Sequence, residues 1–184
     1  MDRSRGTILS FMHHNQYDGM FASLARYGAT LHVLTSPLFY DPRAGAAHRQ
    51  HLRVVSSGAT VVPASGGTAE LAKVVCPGVT LAIASDMAGH TPVTFLGRRV
   101  LASSGAARIS FLTNSPVVMV TAHRAGSGSY LQVEEPIEPG DFADPTALLD
   151  ELLRRHADAV LAWPEALESP RIRFGAIDDQ PAAP

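Results

Sequence analysis

Hydrophobic positions along this chain alternate between two rhythms. Residues 6–12 (GTILSFM) form a short apolar, β-rich run. In the QYDGMFASLARYG that follows, Tyr17, Met20, Phe21, Leu24 and Tyr27 recur at helical spacing until Gly28 ends the segment. The pattern then repeats. ATLHVLT (29–35) predicts a strand, residues 42–58 a helix ended by Gly58, ATVVPA a strand, GGTAELAKVVCPG a helix closed by Pro77 and Gly78, and VTLAIAS a strand ending just before Asp86.

Beyond the turn-rich DMAGHTP come a short strand VTFLG, a helical SSGAARISFLTNS, a buried strand PVVMVTAHR and, past AGSGS, a strand YLQVEEP. DPTALLDELLRRHADAVLAW opens with an Asp-Pro helix start and keeps Leu148, Leu149, Leu152 and Leu153 on one face. Strands alternating with helices predict an α/β fold: a single domain over 1–175 with a mainly parallel sheet flanked by helices on both faces. The polar, Pro-rich end, 176–184, reads as a disordered tail. In such sheets ligands bind at the carboxyl ends of the strands, and both HHNQYD and DMAGHTP fall there.

Composition narrows the function. A chain of 184 residues is long enough for one domain with a sizeable core, and 46% hydrophobic against 17% charged residues is a globular balance. A net charge of -2 without a basic run argues against nucleic acid as a partner. The single cysteine, Cys76, excludes an internal disulfide or a multi-cysteine metal site and fits a reducing, cytoplasmic setting. No apolar run approaches the roughly 20 residues of a membrane span. His48 and His51, three apart on a predicted helix, lack a third ligand, so no metal is expected and both read as surface residues.

The stretch SFMHHNQYDGMF carries the candidate chemistry. His13 sits at a strand end and Asp18 about one turn into the next helix. A carboxylate that accepts the Nδ1 proton of an imidazole fixes its tautomer and leaves Nε2 to take a proton from a hydroxyl or amine. Spacing alone also fits an Asp that merely favours a helix start, and His14, one residue nearer Asp18, is a rival base.

Taken together, ILSFMHHNQYDGMFASLARYG, the segment from GVTLAIASDMAGHTPVTFLGRR to the VEEPI that follows the buried strand, and RRHADAVLAWPE resemble the lysophospholipid acyltransferase superfamily. The closest likeness is to the branch of bacterial lipid A acyltransferases and phosphatidylinositol mannoside acyltransferases. Its His-x4-Asp motif corresponds here to His13 and Asp18, with Tyr17 at the motif's aromatic position. A strand-end Asp, an FFG-like element, a Gly-containing helix start and an Arg after an apolar strand correspond to Asp86, Phe95-Leu96-Gly97, Ser104-Gly105-Ala106-Ala107 and Arg124.

The resemblance implies an αβα acyltransferase. In it His13 is the general base, Asp18 its orienter, and the donor an acyl thioester of acyl carrier protein or coenzyme A, with no bound cofactor. The acceptor is a hydroxyl or amine on a lipid, a glycolipid, or a soluble metabolite or peptide. Tyr17, Asp86, Arg98, Arg99 and Arg124 are the expected substrate-binding residues. Arg98 stands where some relatives carry an acidic residue, so the pair is not extended to a triad. The dozen residues before His13 are fewer than the family's usual N-terminal region. They raise the expectation of a soluble acceptor, or of peripheral contact with the inner membrane face or a partner subunit. A thioester hydrolase using the same dyad and a non-catalytic lipid- or carrier-binding accessory subunit are the alternatives.

Overall fold

The computed structural model describes residues 4–176. The strands β1 (Thr7–Phe11), β2 (Thr30–Thr35), β3 (Thr60–Pro63), β4 (Val79–Ala84), β7 (Val117–Ala125) and β8 (Gly128–Val133) form one six-stranded sheet in the order β3-β2-β4-β1-β7-β8. Every pairing is parallel except β7 with β8, a hairpin at one edge. A second, antiparallel sheet is made of β5 (Ala88–Phe95), β6 (Arg98–Ala102) and the short β9 (Gly175–Ala176). The chain is thus a single α/β domain with a mixed, mostly parallel sheet between helices.

Side-chain alternation on β1 divides the core. Ile8 packs with Leu81, Ile83, Val117 and Met119 under α4 (Gly105–Thr113) and α5 (Pro145–Ala162), while Leu9 and Phe11 pack on the other face with Met20 and Phe21 of α1 (Tyr17–Arg26) and Val55 of α2 (Ala46–Ser56). Burying both faces explains why β1 and β4 read as continuous apolar runs. Helix α5 begins as its sequence suggests: Asp144 Oδ1 accepts from the Thr146 and Ala147 amides at 2.8 and 2.9 Å, and Pro145 occupies the first turn. Leu148, Leu149, Leu152 and Leu153 are all fully buried.

Two stretches differ from the sequence expectation. DMAGHTP, with its Gly and Pro, predicts a loop, yet residues 88–92 begin β5. That strand lies at an edge, where a missing proline N–H costs no ladder bond, and a register shift between Ala88 and Thr91 absorbs the irregularity. The helix expected over GGTAELAKVVCPG is only α3 (Gly67–Ala72). Ala176, placed in the tail by composition, pairs with Val100 in β9, and the rest of the expected tail lies outside the described residues. Among the described residues no helix is long and apolar enough to cross a membrane.

Candidate active site

Parallel register places the two central groups. Phe11 pairs with Ala84 at the carboxyl ends of β1 and β4, and two residues beyond each lie His13 and Asp86. His13 Nδ1 and Asp86 Oδ1 are 2.7 Å apart, and the His13 backbone amide donates to Oδ2 at 3.0 Å. Asp86 is completely buried, while the His13 side chain keeps 12% exposure. The carboxylate therefore faces the imidazole and its amide together. With Nδ1–H donated to Asp86, Nε2 is the ring's free acceptor.

The expected partner, Asp18, is elsewhere. Asn15 and Gln16 adopt left-handed conformations (φ 48° and 46°) and re-aim the chain as it enters α1. Asp18 Oδ1 then accepts from the neighbouring Gly19 amide at 2.9 Å, and Oδ2 lies 3.8 Å from Nδ1 of His51 on α2. The orienting carboxylate of His13 is Asp86, so the pairing expected between His13 and Asp18 is corrected. His14 is turned to the opposite side, with Nε2 2.9 Å from the Trp163 carbonyl and its ring edge-on to that indole. That contact holds the ring against Trp163.

Tyr17 does join the site. Its ring meets the His13 ring edge-on at 4.3 Å between centroids, and Oη lies 3.4 Å from His51 Nε2. Burial, with help from the carboxylate of Glu168, raises the phenol above its ordinary range and keeps it protonated. Burial also lowers the His51 imidazole, although Asp18 opposes the shift. His51, read from sequence as a surface residue, thus lines the site; Val55, one turn later on the same helix face and fully buried, was the available signal.

A groove of about 550 Å³ opens beside His13. Tyr17, His51 and Arg173 border its polar end, and Phe11, Phe21, Val33, Val55, Phe39 and Leu71 supply an apolar wall. The groove's size and largely apolar lining fit a small ligand with a long hydrocarbon portion. Three expected substrate contacts fall away from it. Arg98 and Arg99 are exposed on β6, next to the turn that joins it to β5. Arg124 pairs with Glu165 at 2.9 Å and stacks over Trp163. None of the three lines the groove, because β5 and β6 form a separate sheet and Arg124 lies in the β7–β8 hairpin, in register with Ser129 at the sheet's edge.

Beneath the dyad runs a buried polar chain with no sequence signal. Ser85, next to Asp86, shares a 2.7 Å hydrogen bond with Ser10 of β1, and Ser10 Oγ lies 2.9 Å from Nε2 of His156 on α5. Complete burial lowers His156 to about 4, so it is a neutral hydrogen-bonding group at pH 7. The chain ties β4, β1 and α5 together at the level where His13 and Asp86 emerge. On the outer side, the segment after α5 crosses the His13 loop. The Asn15 amide donates to Ala166 O at 2.9 Å and the Glu168 amide to His13 O at 2.8 Å. No group of three or more His, Cys, Asp or Glu among the described residues could hold a metal ion.

No protein-family model matches the chain, and no curated protein matches it.

Proposed function

We propose that the chain is an acyltransferase that moves a fatty acyl group from a thioester to a hydroxyl or amine acceptor, with His13 as general base and Asp86 as its orienter. The observation that carries this reading is the buried His13–Asp86 pair, 2.7 Å apart, at the edge of an apolar groove. The acyltransferase-like resemblance of the sequence supplies the donor class: a thioester of acyl carrier protein or coenzyme A. The acceptor belongs to the broad class of lipid, glycolipid or soluble hydroxyl and amine compounds.

In the proposed reaction His13 Nε2 takes the proton of the acceptor as its oxygen or nitrogen attacks the thioester carbonyl carbon. The carbonyl π electrons move to oxygen, giving a tetrahedral oxyanion. Collapse re-forms the carbonyl, breaks the C–S bond, and the leaving sulfur takes the proton back from the His13 imidazolium. An ester or amide and a free thiol result, and no covalent enzyme intermediate is needed. Asp86 holds Nδ1–H in place throughout and stabilises the imidazolium that forms between the two proton transfers. The groove wall removes the acyl chain from water, and each buried methylene contributes about 0.8 kcal/mol to donor binding.

Product analysis tests the reading. Acyl carrier protein and coenzyme A thioesters are incubated with the protein and a panel of lipid and soluble acceptors, and all products are followed by mass. An acylated acceptor supports the proposal. Free fatty acid alone indicates that water is the nucleophile and the protein a hydrolase, and no turnover by folded protein leaves the accessory-subunit reading.

A further inference from the structure

The groove beside His13 carries a single formal charge among its described lining residues, that of Arg173. The residue closes the short helix α6 (Pro170–Arg173), and its side chain is 17% exposed. Its Nε donates to the Glu168 carbonyl at 3.0 Å, Nη2 lies 3.6 Å from Glu168 Oε2, and Nε lies 3.9 Å from Asp86 Oδ2. Nη1 makes no hydrogen bond to any described residue. The guanidinium is thus fixed at one edge, with donor capacity left over at the polar end of an apolar groove.

We propose that Arg173 is the anion-binding group of this groove, and that a long-chain carboxylate seats with its head on Arg173 and its tail along the Phe11–Phe21–Val33 wall. The charge balance selects a monoanion. Asp86 and Glu168 flank the guanidinium, so a phosphate dianion meets twice the repulsion that a carboxylate does. Asp86 already accepts two hydrogen bonds from His13, which leaves Nη1 to the ligand. The tail needs the apolar wall, and the head needs the one cation in it. A bound carboxylate also resembles the anionic tetrahedral state of acyl transfer, so the same guanidinium meets the oxyanion when a thioester reacts. The inference rests on the acyl-transfer reading for the nature of the tail; binding itself requires no turnover.

The test is calorimetric titration of the folded protein with dodecanoate and with dodecan-1-ol, both below their aggregation concentrations, using the wild type, Arg173→Gln, Arg173→Lys and His13→Ala. The wild type is expected to bind dodecanoate about tenfold or more tighter than the alcohol, as a charge-assisted contact provides. Arg173→Gln should bind both about equally while its alcohol affinity stays within about twofold of wild type, and Arg173→Lys should keep most of the preference. Equal affinities in the wild type overturn the proposal, as does a preference that survives Arg173→Gln or a loss of both ligands in that variant. His13→Ala should retain the preference, and wild-type turnover separates the two claims: if no thioester reacts with the wild type and the preference remains, the acyl-transfer reading fails and the anion site stands.

Discussion

Replacing Asp86 with Asn isolates what the buried carboxylate contributes. At 2.7 Å the bond to His13 Nδ1 is short and charge-assisted once the imidazole is protonated, and Asp86 has no exposure to water that could replace it. Two opposite charges about 4 Å apart interact by about 4 kcal/mol at an effective permittivity near 20. An asparagine oxygen can still accept from the His13 amide but carries no charge, so about 3–4 kcal/mol of imidazolium stabilisation is lost. That corresponds to a fall in kcat of about 10²- to 10³-fold. Asp18→Asn disturbs only a partly exposed contact 3.8 Å from His51 and should cost less than about fivefold. Steady-state acyl transfer for both variants, with melting temperatures to confirm folding, decides the matter. Because His13 and Asp86 act as a unit, the double variant His13→Ala/Asp86→Asn should be no slower than His13→Ala alone. A folded Asp86→Asn enzyme within tenfold of wild type, or an Asp18→Asn defect as large as that of Asp86→Asn, would refute the reasoning.

The remaining predictions concern the scaffold. His156 is neutral in the fold and lowered to about 4, by burial first, with the His14 charge adding and the Asp86 charge opposing. Between pH 6.5 and 4 the unfolded chain therefore binds a proton that the native state does not, and stability falls with pH. From pH 7 to pH 5 the wild type should lose about 2 kcal/mol more than His156→Gln in urea titrations; parallel pH dependences would contradict this. Gly58 lies against the backbone of Phe21 and Ala22, where an added Cβ has no room, so Gly58→Ala should destabilise by about 1–3 kcal/mol and lower the urea midpoint. Asp144→Ala removes the two-amide cap of α5 and should cost about 1 kcal/mol in the same measurement.

Much of the fold was legible because its signals are local. The apolar run of β1 and the Asp144-Pro145 start of α5 each require only neighbouring residues. His13 was legible for the same reason, as a polar residue at a strand end. Its partner was not: the β1–β4 register that sets Asp86 opposite His13 joins residues 73 apart, whereas Asp18 is near in sequence and turned away by two left-handed residues. Asp86 was visible as a strand-end acid, but its role was not. The β5 strand was masked by glycine and proline that an edge tolerates. Arg173 gave no signal, since nothing in the sequence shows that the segment after α5 folds back over the His13 loop.

The most direct test of the central claim is the rate of acyl transfer from one accepted thioester, measured for wild type, His13→Ala and His14→Ala at equal folded concentration. The account predicts a loss of about 10²- to 10⁴-fold for His13→Ala and a much smaller one for His14→Ala, whose ring is bound to the Trp163 carbonyl. Transfer that persists undiminished in folded His13→Ala, or a reversal of the two losses, would contradict it.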